Sequence, residues 1–278
     1  MRSDKRDELV RKALDIFYRD GFHATGLDRL SDETGISKTT MFRHFRSKDD
    51  LILATMKRRD DGVRAWLRDR MLRQMLTAAR PGYGWLSEET EDDPARLGAE
   101  RVFIVDPIDG TRTFLEGDRS FAHALAVAEA GRVVAAVVFL PLRDKLYSAI
   151  RGGGAYLNGA ALRTSSRSAL DGASVLAPRP ALDPGHWAGP VPYLHRALRA
   201  SLAYRLCLVA EGRYDAALAL RDSWDWDTAA GSLILEEAGA RISDRLGDPL
   251  AFNTPVPLSR GIVAGAPLLH AEILSRLA

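Results

Sequence analysis

At about residue 71 the hydrophobic residues change their period, so one layered domain cannot accommodate both parts of this chain. Over residues 4–70 the apolar side chains recur at helical spacing, with Leu9, Ala13, Leu14, Ile16 and Phe17 on one face of a first helix. Gly21 is placed to end that helix. Thr25 is placed to cap a second, running through Leu27, Leu30 and Ser31 to Thr34. Gly35 makes a tight turn, Ser37 caps a short third helix from Lys38 to Phe45, and Ser47 caps a longer fourth from Lys48. A short second helix, a glycine turn and a Ser-capped third helix are the layout of a helix-turn-helix.

Beyond residue 71 the pattern is that of strands. Val102–Val105 is an apolar run, and 122–129 with 133–140 flank Ala130-Gly131-Arg132 as a hairpin. Leu146–Ile150 reads as another strand, followed by a turn at Asn158-Gly159. Helices are expected at about 195–211, 227–238 and 268–277, and strands at 214–220 and 261–264. Residues 178–190 carry Pro178, Pro180, Pro184, Gly185, Gly189 and Pro190 and read as a loop. No Gly/Pro linker marks the change, so the fourth helix is expected to lead straight into the second domain. The domains expected are an all-α head at 1–70 and a layered α/β body at 71–278.

Composition adds bounds. A hydrophobic fraction of 46% allows a sizeable core, and a net charge of +2 excludes a partner chosen by bulk charge alone. The head is net positive and the remainder net negative, which fits a nucleic-acid-binding head. Cys207 stands alone in the apolar run 206–209 and reads as an inert packing residue in a reducing compartment. Neither a signal peptide nor a membrane-length apolar run is visible, which predicts a cytoplasmic protein with no membrane partner.

Three stretches carry chemistry: Gly84-Trp85-Leu86-Ser87-Glu88-Glu89-Thr90, Val105-Asp106-Pro107-Ile108-Asp109-Gly110-Thr111, and Trp224-Asp225-Trp226-Asp227-Thr228-Ala229-Ala230-Gly231. In the second, an apolar strand delivers Asp106 at its C-terminal end, where catalytic groups collect in α/β structures. Pro107 stiffens the turn and Asp109 returns to the same side. Two carboxylates and the Ile108 carbonyl within four residues form a hard-oxygen site suited to magnesium. The Gly110 and Thr111 amides, opening a helix, suit a phosphate. Glu89 is expected to face solvent, and Asp225 either binds substrate or caps a turn. His123 is expected to be structural, His186 and His195 lack metal-like spacing, and Trp224 and Trp226 read as packing residues.

The order Asp106-Pro107-Ile108-Asp109-Gly110-Thr111, the stretch Trp226–Gly231 and the hairpin Gly153–Gly159 resemble the signatures of the inositol monophosphatase superfamily, which includes 3′(2′),5′-bisphosphate nucleotidases. The resemblance covers about 72–278 and implies an αβαβα-type body. It implies that Glu88, Asp106, the Ile108 carbonyl, Asp109 and Asp227 bind two or three magnesium ions, with lithium as an inhibitor. Glu88 and Thr111 would orient and deprotonate the attacking water, and Gly110 and Thr111 would bind phosphate. The segment 4–60 resembles the DNA-binding domain of TetR-family repressors. That likeness implies Lys38, Thr39 and Thr40 near base edges or backbone, His44 and Lys48 near phosphates, double-stranded DNA as a partner, and a homodimer.

Two departures from these families stand out. The body lacks the usual N-terminal helices of the phosphatase fold, apart from the end of the second at about Met71–Arg80, and no counterpart of its metal-site aspartate is visible there. Their loss predicts exposed apolar surface. Phe42 replaces a frequent tyrosine of the TetR family, and Leu220 stands seven residues ahead of Asp227 where inositol-specific members carry a glutamate. The reading is a magnesium-dependent phosphomonoesterase for a small phosphorylated metabolite, either a bisphosphate nucleotide or an inositol or sugar phosphate. Its alternative is a TetR-like regulator with a ligand-sensing or inactive body.

Overall fold

The computed structural model describes residues 2–20, 25–115 and 119–278, and the expected helix stop at Gly21 lies outside them. The chain divides into two compact units, Met1–Leu67 and Arg68–Ala278.

The first unit holds α1 (Arg2–Asp20), α2 (Leu27–Thr34), α3 (Lys38–His44) and the start of α4 (Lys48–Ala79). Leu9, Ala13 and Phe17 of α1 close on Leu30, Met41, Phe45 and Leu51 in one small core. Gly35 joins α2 to α3 with φ +69°, a left-handed conformation that lets its N–H reach the Ser31 carbonyl. Ser37 caps α3 by accepting from the Thr40 amide at 3.3 Å, and Ser47 caps α4 by accepting from Asp50 N at 3.0 Å. The expected cap at Thr25 is corrected: Gly26 takes the extended cap position without a side-chain bond, and Thr25 is buried. α4 runs without interruption from one unit into the other.

The second unit has five layers. Its first sheet runs in chain order: β1 (Gly84–Ser87), β2 (Arg101–Asp109), β3 (Ala122–Glu129), β4 (Arg132–Leu140), β5 (Lys145–Ile150), β6 (Ala155–Leu157) and β7 (Ala160–Ala161). β1 and β2 are parallel and the later neighbours antiparallel. One-turn α5 (Thr111–Leu115) follows β2. The β3–β4 turn has φ +46° at Ala130 and +76° at Gly131, the paired positive angles that match the twist of a tight hairpin.

The second sheet has the order β12 (Arg241–Ser243), β14 (Ile262–Gly265), β10 (Ala216–Ala219), β8 (Ala173–Leu176), β9 (Leu194–Ala197). β11 (Ser223–Trp224) and β13 (Leu258–Ser259) pair separately. Between the sheets lie α6 (Leu202–Ala210) and α7 (Asp225–Glu237), packed in one core with residues of both. α8 (Pro267–Arg276) covers the far face of the second sheet. Leu72 and Leu76 of α4 pack against Trp85, Phe103 and Val105 on the far face of the first. No helix among the described residues is long and apolar enough to cross a membrane.

One expected helix is corrected. Residues 194–197 form edge strand β9, paired in parallel with β8, and the helix begins only at Leu202 behind its cap Ser201. Leu76, Tyr83, Phe103, Val127 and Ile150 line a groove of about 550 Å3 beside α4, with Ile150 66% exposed.

Close approach of α6 and α7 explains a glycine. A Cβ on Gly231 would stand 2.8 Å from Leu206 Cβ and 2.7 Å from its Cδ1. Leu206 Cβ is fixed by its own helix, so the clash cannot be relieved by a rotamer alone. Gly231→Ala gains about 1 kcal/mol of helix propensity, but overpacking costs about 1–3 kcal/mol. The expected net result is a lower urea midpoint at unchanged denaturant slope; a raised midpoint would show that the two helices have room to separate.

Candidate metal centre

The centre is built at the end of β2, where the strand is irregular. Asp106 pairs with Ala124 but Asp109 with Ala122, so three steps on β2 face two on β3. In a regular strand residues three apart point to opposite faces; one extra residue returns Asp109 to the face of Asp106. The turn is held from within. Asp106 Oδ1 accepts from Ile108 N at 2.8 Å, and the Thr111 hydroxyl donates to the Ile108 carbonyl at 2.9 Å. His123 Nδ1 donates to the Pro107 carbonyl, the structural role expected of it.

Asp109 is tied to the start of α6. It accepts from Ser201 Oγ at 2.7 Å, Ala203 N at 2.7 Å and Leu202 N at 3.2 Å. The last two are free amides of a helix N-terminus, where negative charge is favoured. Gly110, at φ +89°, lets the chain pass Ser201: a Cβ there would lie 3.2 Å from Ser201 N. Asp227 enters from the first turn of α7. One carboxylate oxygen each of Asp106, Asp109 and Asp227 lies within 4.8 Å of the others. Asp106 and Asp109 are buried and Asp227 half-buried.

Three carboxylates in so small a space repel one another when ionised. Burial, then the charges of Asp109, Glu88 and Asp227, hold the Asp106 carboxyl well above the ordinary range. Burial and then Asp109 and Glu88 push Asp227 up to about 7. Burial raises Asp109 too, against the hydrogen bonds from Ser201, Ala203 and Leu202. A set of buried hard oxygens with raised proton affinity and no ion pair among the described residues is a donor set for a hard divalent cation, and it fits magnesium.

Glu88 follows parallel strand β1, and its amide donates to the Val105 carbonyl at 3.3 Å, which sets it beside the end of β2. The residue as a whole is open to solvent, but its carboxyl is crowded. Its desolvation, then Glu89 and Asp109, push it up to about 7, against a hydrogen bond with Asp106. Glu88 stands outside the tightest trio. Glu89, expected in solvent, is half-buried, and its pKa is raised by burial and by Asp69. Asp225 is buried at the head of α7; its Oδ2 accepts from Asn253 N at 2.9 Å, while Oδ1 has no hydrogen-bond partner among the described residues. Trp224 and Trp226 stack on each other at 4.8 Å, with Trp224 43% exposed.

Sequence reasoning missed Ser201 and Asp69. Ser201 precedes an apolar run as a cap should, but the helix was expected to start earlier. Asp69, buried in α4, accepts from Ser87 Oγ at 2.5 Å, just ahead of Glu88. Its sign was a lone acid in register with Leu72 and Leu76 on the sheet-facing side of α4.

In the head, Lys38 forms an ion pair with Asp28 of α2, and Thr39 is exposed. Thr40 Oγ1 is 3.0 Å from Ser37 Oγ, His44 and Lys48 are half-buried, and Phe42 is 51% exposed.

The raised carboxylates give a pH dependence of definite sign. In the metal-free protein they bind protons more tightly folded than unfolded, so their contribution to stability falls as pH rises from about 4 through about 7. Thermal melts of the metal-free protein should show this decline, weaker in Asp227→Asn, and magnesium should reverse it. Identical pH profiles for both proteins would remove the repulsion from the account.

Residues 63–278 match the inositol monophosphatase family, and residues 9–55 match the tetR family of bacterial regulatory proteins. The chain is 43% identical over 189 residues to an inositol-1-monophosphatase of Rhizobium meliloti, covering 64% of this chain and 70% of that one. It is 35% identical over 224 residues to the Nus factor SuhB of Pseudomonas aeruginosa, covering 73% and 80%. Among solved structures, the extragenic suppressor protein suhB of Bartonella henselae superposes with a TM-score of 0.64 at 29% identity, covering 76% of this chain and 81% of that one.

Proposed function

The chain belongs to the inositol monophosphatase family, and from that premise we propose that it is a magnesium-dependent phosphomonoesterase acting on a small phosphorylated metabolite. The observation that carries this reading is the convergence of Asp106, Asp109 and Asp227 from a strand end and a helix start. These three, with the Ile108 carbonyl and Glu88, would hold two or three ions, and lithium would compete for the site. Bound there, magnesium supplies charge to the phosphoryl oxygens and makes a water more acidic.

The chain's own groups do the rest. Glu88, set beside the end of β2 by its backbone bond to Val105, would accept the proton of the attacking water. The Thr111 hydroxyl donates to the Ile108 carbonyl, so its oxygen is left to accept from that water and orient it. The Gly110 and Thr111 amides bind phosphoryl oxygens as charge grows on them. Leu220 is buried and apolar, so it offers no acceptor to sugar hydroxyls. That favours a bisphosphate nucleotide over an inositol phosphate. Phosphate release from adenosine 3′,5′-bisphosphate and inositol 1-phosphate, with magnesium, chelator or lithium, tests the reading. Asp109→Asn should lower kcat by about a hundredfold or more, and undiminished turnover in that variant would end the metal mechanism.

A second reading, a DNA-binding regulator, rests on the glycine turn and Ser-capped α3 of the head. Lys38, Thr39, Thr40, His44 and Lys48 would meet DNA in a homodimer with two heads one helical turn apart. Duplex DNA from upstream of the protein's own coding sequence is the probe. Binding should weaken steeply with salt, and Lys48→Ala, which removes one phosphate contact from each of the two heads, should reduce that log–log slope by about 2. Equal slopes for wild type and variant would take Lys48 off the backbone.

A further inference from the structure

At the far end of α7 from Asp227, a cavity of about 670 Å3 opens between the β3–β4 hairpin, the turn after β5, strand β12 and the start of α8. Glu236 on its wall lies about 14 Å along the helix axis from Asp227. Three arginines line the cavity: Arg132 at the start of β4, Arg151 after β5 and Arg241 at the start of β12. Arg151 is engaged, since Nη2 pairs with Glu236 at 3.1 Å and Nε donates to the Val133 carbonyl at 2.7 Å. Arg132, on the first sheet, and Arg241, on the second, make no hydrogen bond or ion pair among the described residues.

Water satisfies a lone arginine at a surface, so neither side chain by itself calls for a ligand. Their convergence on one concave wall does, because the acceptors around them are taken. The amides of Ala238, Gly239 and Ala240 donate to the Ile234, Glu236 and Leu235 carbonyls and close the end of α7. Glu237 accepts from the Gly152 amide at 2.8 Å and the Gly154 amide at 2.9 Å. α8 opens on the same cavity through Pro267 and His270, with no side-chain cap and no acid in its first turn, so the positive end of its dipole adds to the two guanidinium charges. The Ser243 hydroxyl donates to the Asp244 carbonyl at 2.8 Å, so His270 Nε2 is the donor in its 2.9 Å bond to Ser243 Oγ.

Size and lining describe the ligand. A bare inorganic anion would leave most of this volume empty, whereas small-molecule sites span about 300–1,000 Å3. Ala240, Ile242, Pro249 and Pro267 give part of the wall an apolar surface suited to a carbon skeleton. Guanidinium groups present paired donors to carboxylate and phosphate oxygens alike. We propose that this cavity binds a small organic polyanion, with its phosphate or carboxylate groups bridging Arg132 and Arg241 and its carbon skeleton against the prolines. It is a second ligand site, remote from the metal centre and independent of the phosphatase reading.

Methylenediphosphonate and citrate are the probes; neither is a phosphate ester, so neither can be turned over. Calorimetry on the full-length protein freed of divalent ions isolates the cavity, because the metal centre is then a cluster of carboxylates that repels anions. Wild type should bind at least one probe, at a single site. Arg132→Gln and Arg241→Gln, both at exposed positions, should each weaken that binding about tenfold or more, as loss of a charge-assisted hydrogen bond does, and Arg241→Lys should recover part of it. NMR locates the site in the wild type: the ring signals of His270 should shift during the titration and those of His123, beside the metal centre, should not. Tighter binding of methylenediphosphonate names phosphates as the ligand class, and tighter binding of citrate names carboxylates. Binding of both probes weaker than about 10 mM overturns the proposal. So does binding that either substitution to Gln leaves unchanged, or a titration that shifts His123 and not His270.

Discussion

The bonds from Ser201, Leu202 and Ala203 to the Asp109 carboxylate join the first sheet to the central helix layer. The remaining geometry of the centre depends on this link. It fixes where α6 begins, and α6 packs side by side with α7 in the core between the sheets. α7 in turn brings Asp227 to Asp106. A carboxylate that caps a foreign helix is held without a countercharge, so one of its oxygens can still serve a cation. The same bonds lower the proton affinity that burial raises.

Small residues make that link possible. Gly231 admits Leu206 at contact distance, and Gly110 admits the Ser201 backbone. Ala124, Ala126, Ala128 and Ala136 on the inner face of the first sheet, with Ala229 and Ala230 of α7, leave room for a buried helix layer between two sheets. Protein interiors are close-packed, so the spacing of five layers is set by such side chains as much as by hydrogen bonding.

Much of this was legible because it is local. The hairpin around Ala130-Gly131, the Ser37 cap and the strand that delivers Asp106 all rest on neighbours in sequence, and so does the order Asp106-Pro107-Ile108-Asp109-Gly110. What could not be read depends on distant partners. β9 has only an edge strand's weak pattern and exists because β8 pairs with it in parallel. The start of α6 is set by Ser201, whose hydroxyl is claimed by an aspartate 92 positions earlier. Asp69 is an ordinary helical acid until β1 presents Ser87 to it. Thr25 is a good cap by composition, but it is buried and leaves the extended cap position to Gly26.

Charge at the centre connects the fold to the kind of ion it is suited to hold. Asp106, Asp109, Asp227 and the flanking Glu88 are too close to be ionised together without cations, and their raised pKa values record that frustration. Arg205 answers part of it through its charge on Asp109 and Asp227, without a hydrogen bond among the described residues. The remaining deficit of positive charge is what makes the cluster a donor set for a hard divalent cation.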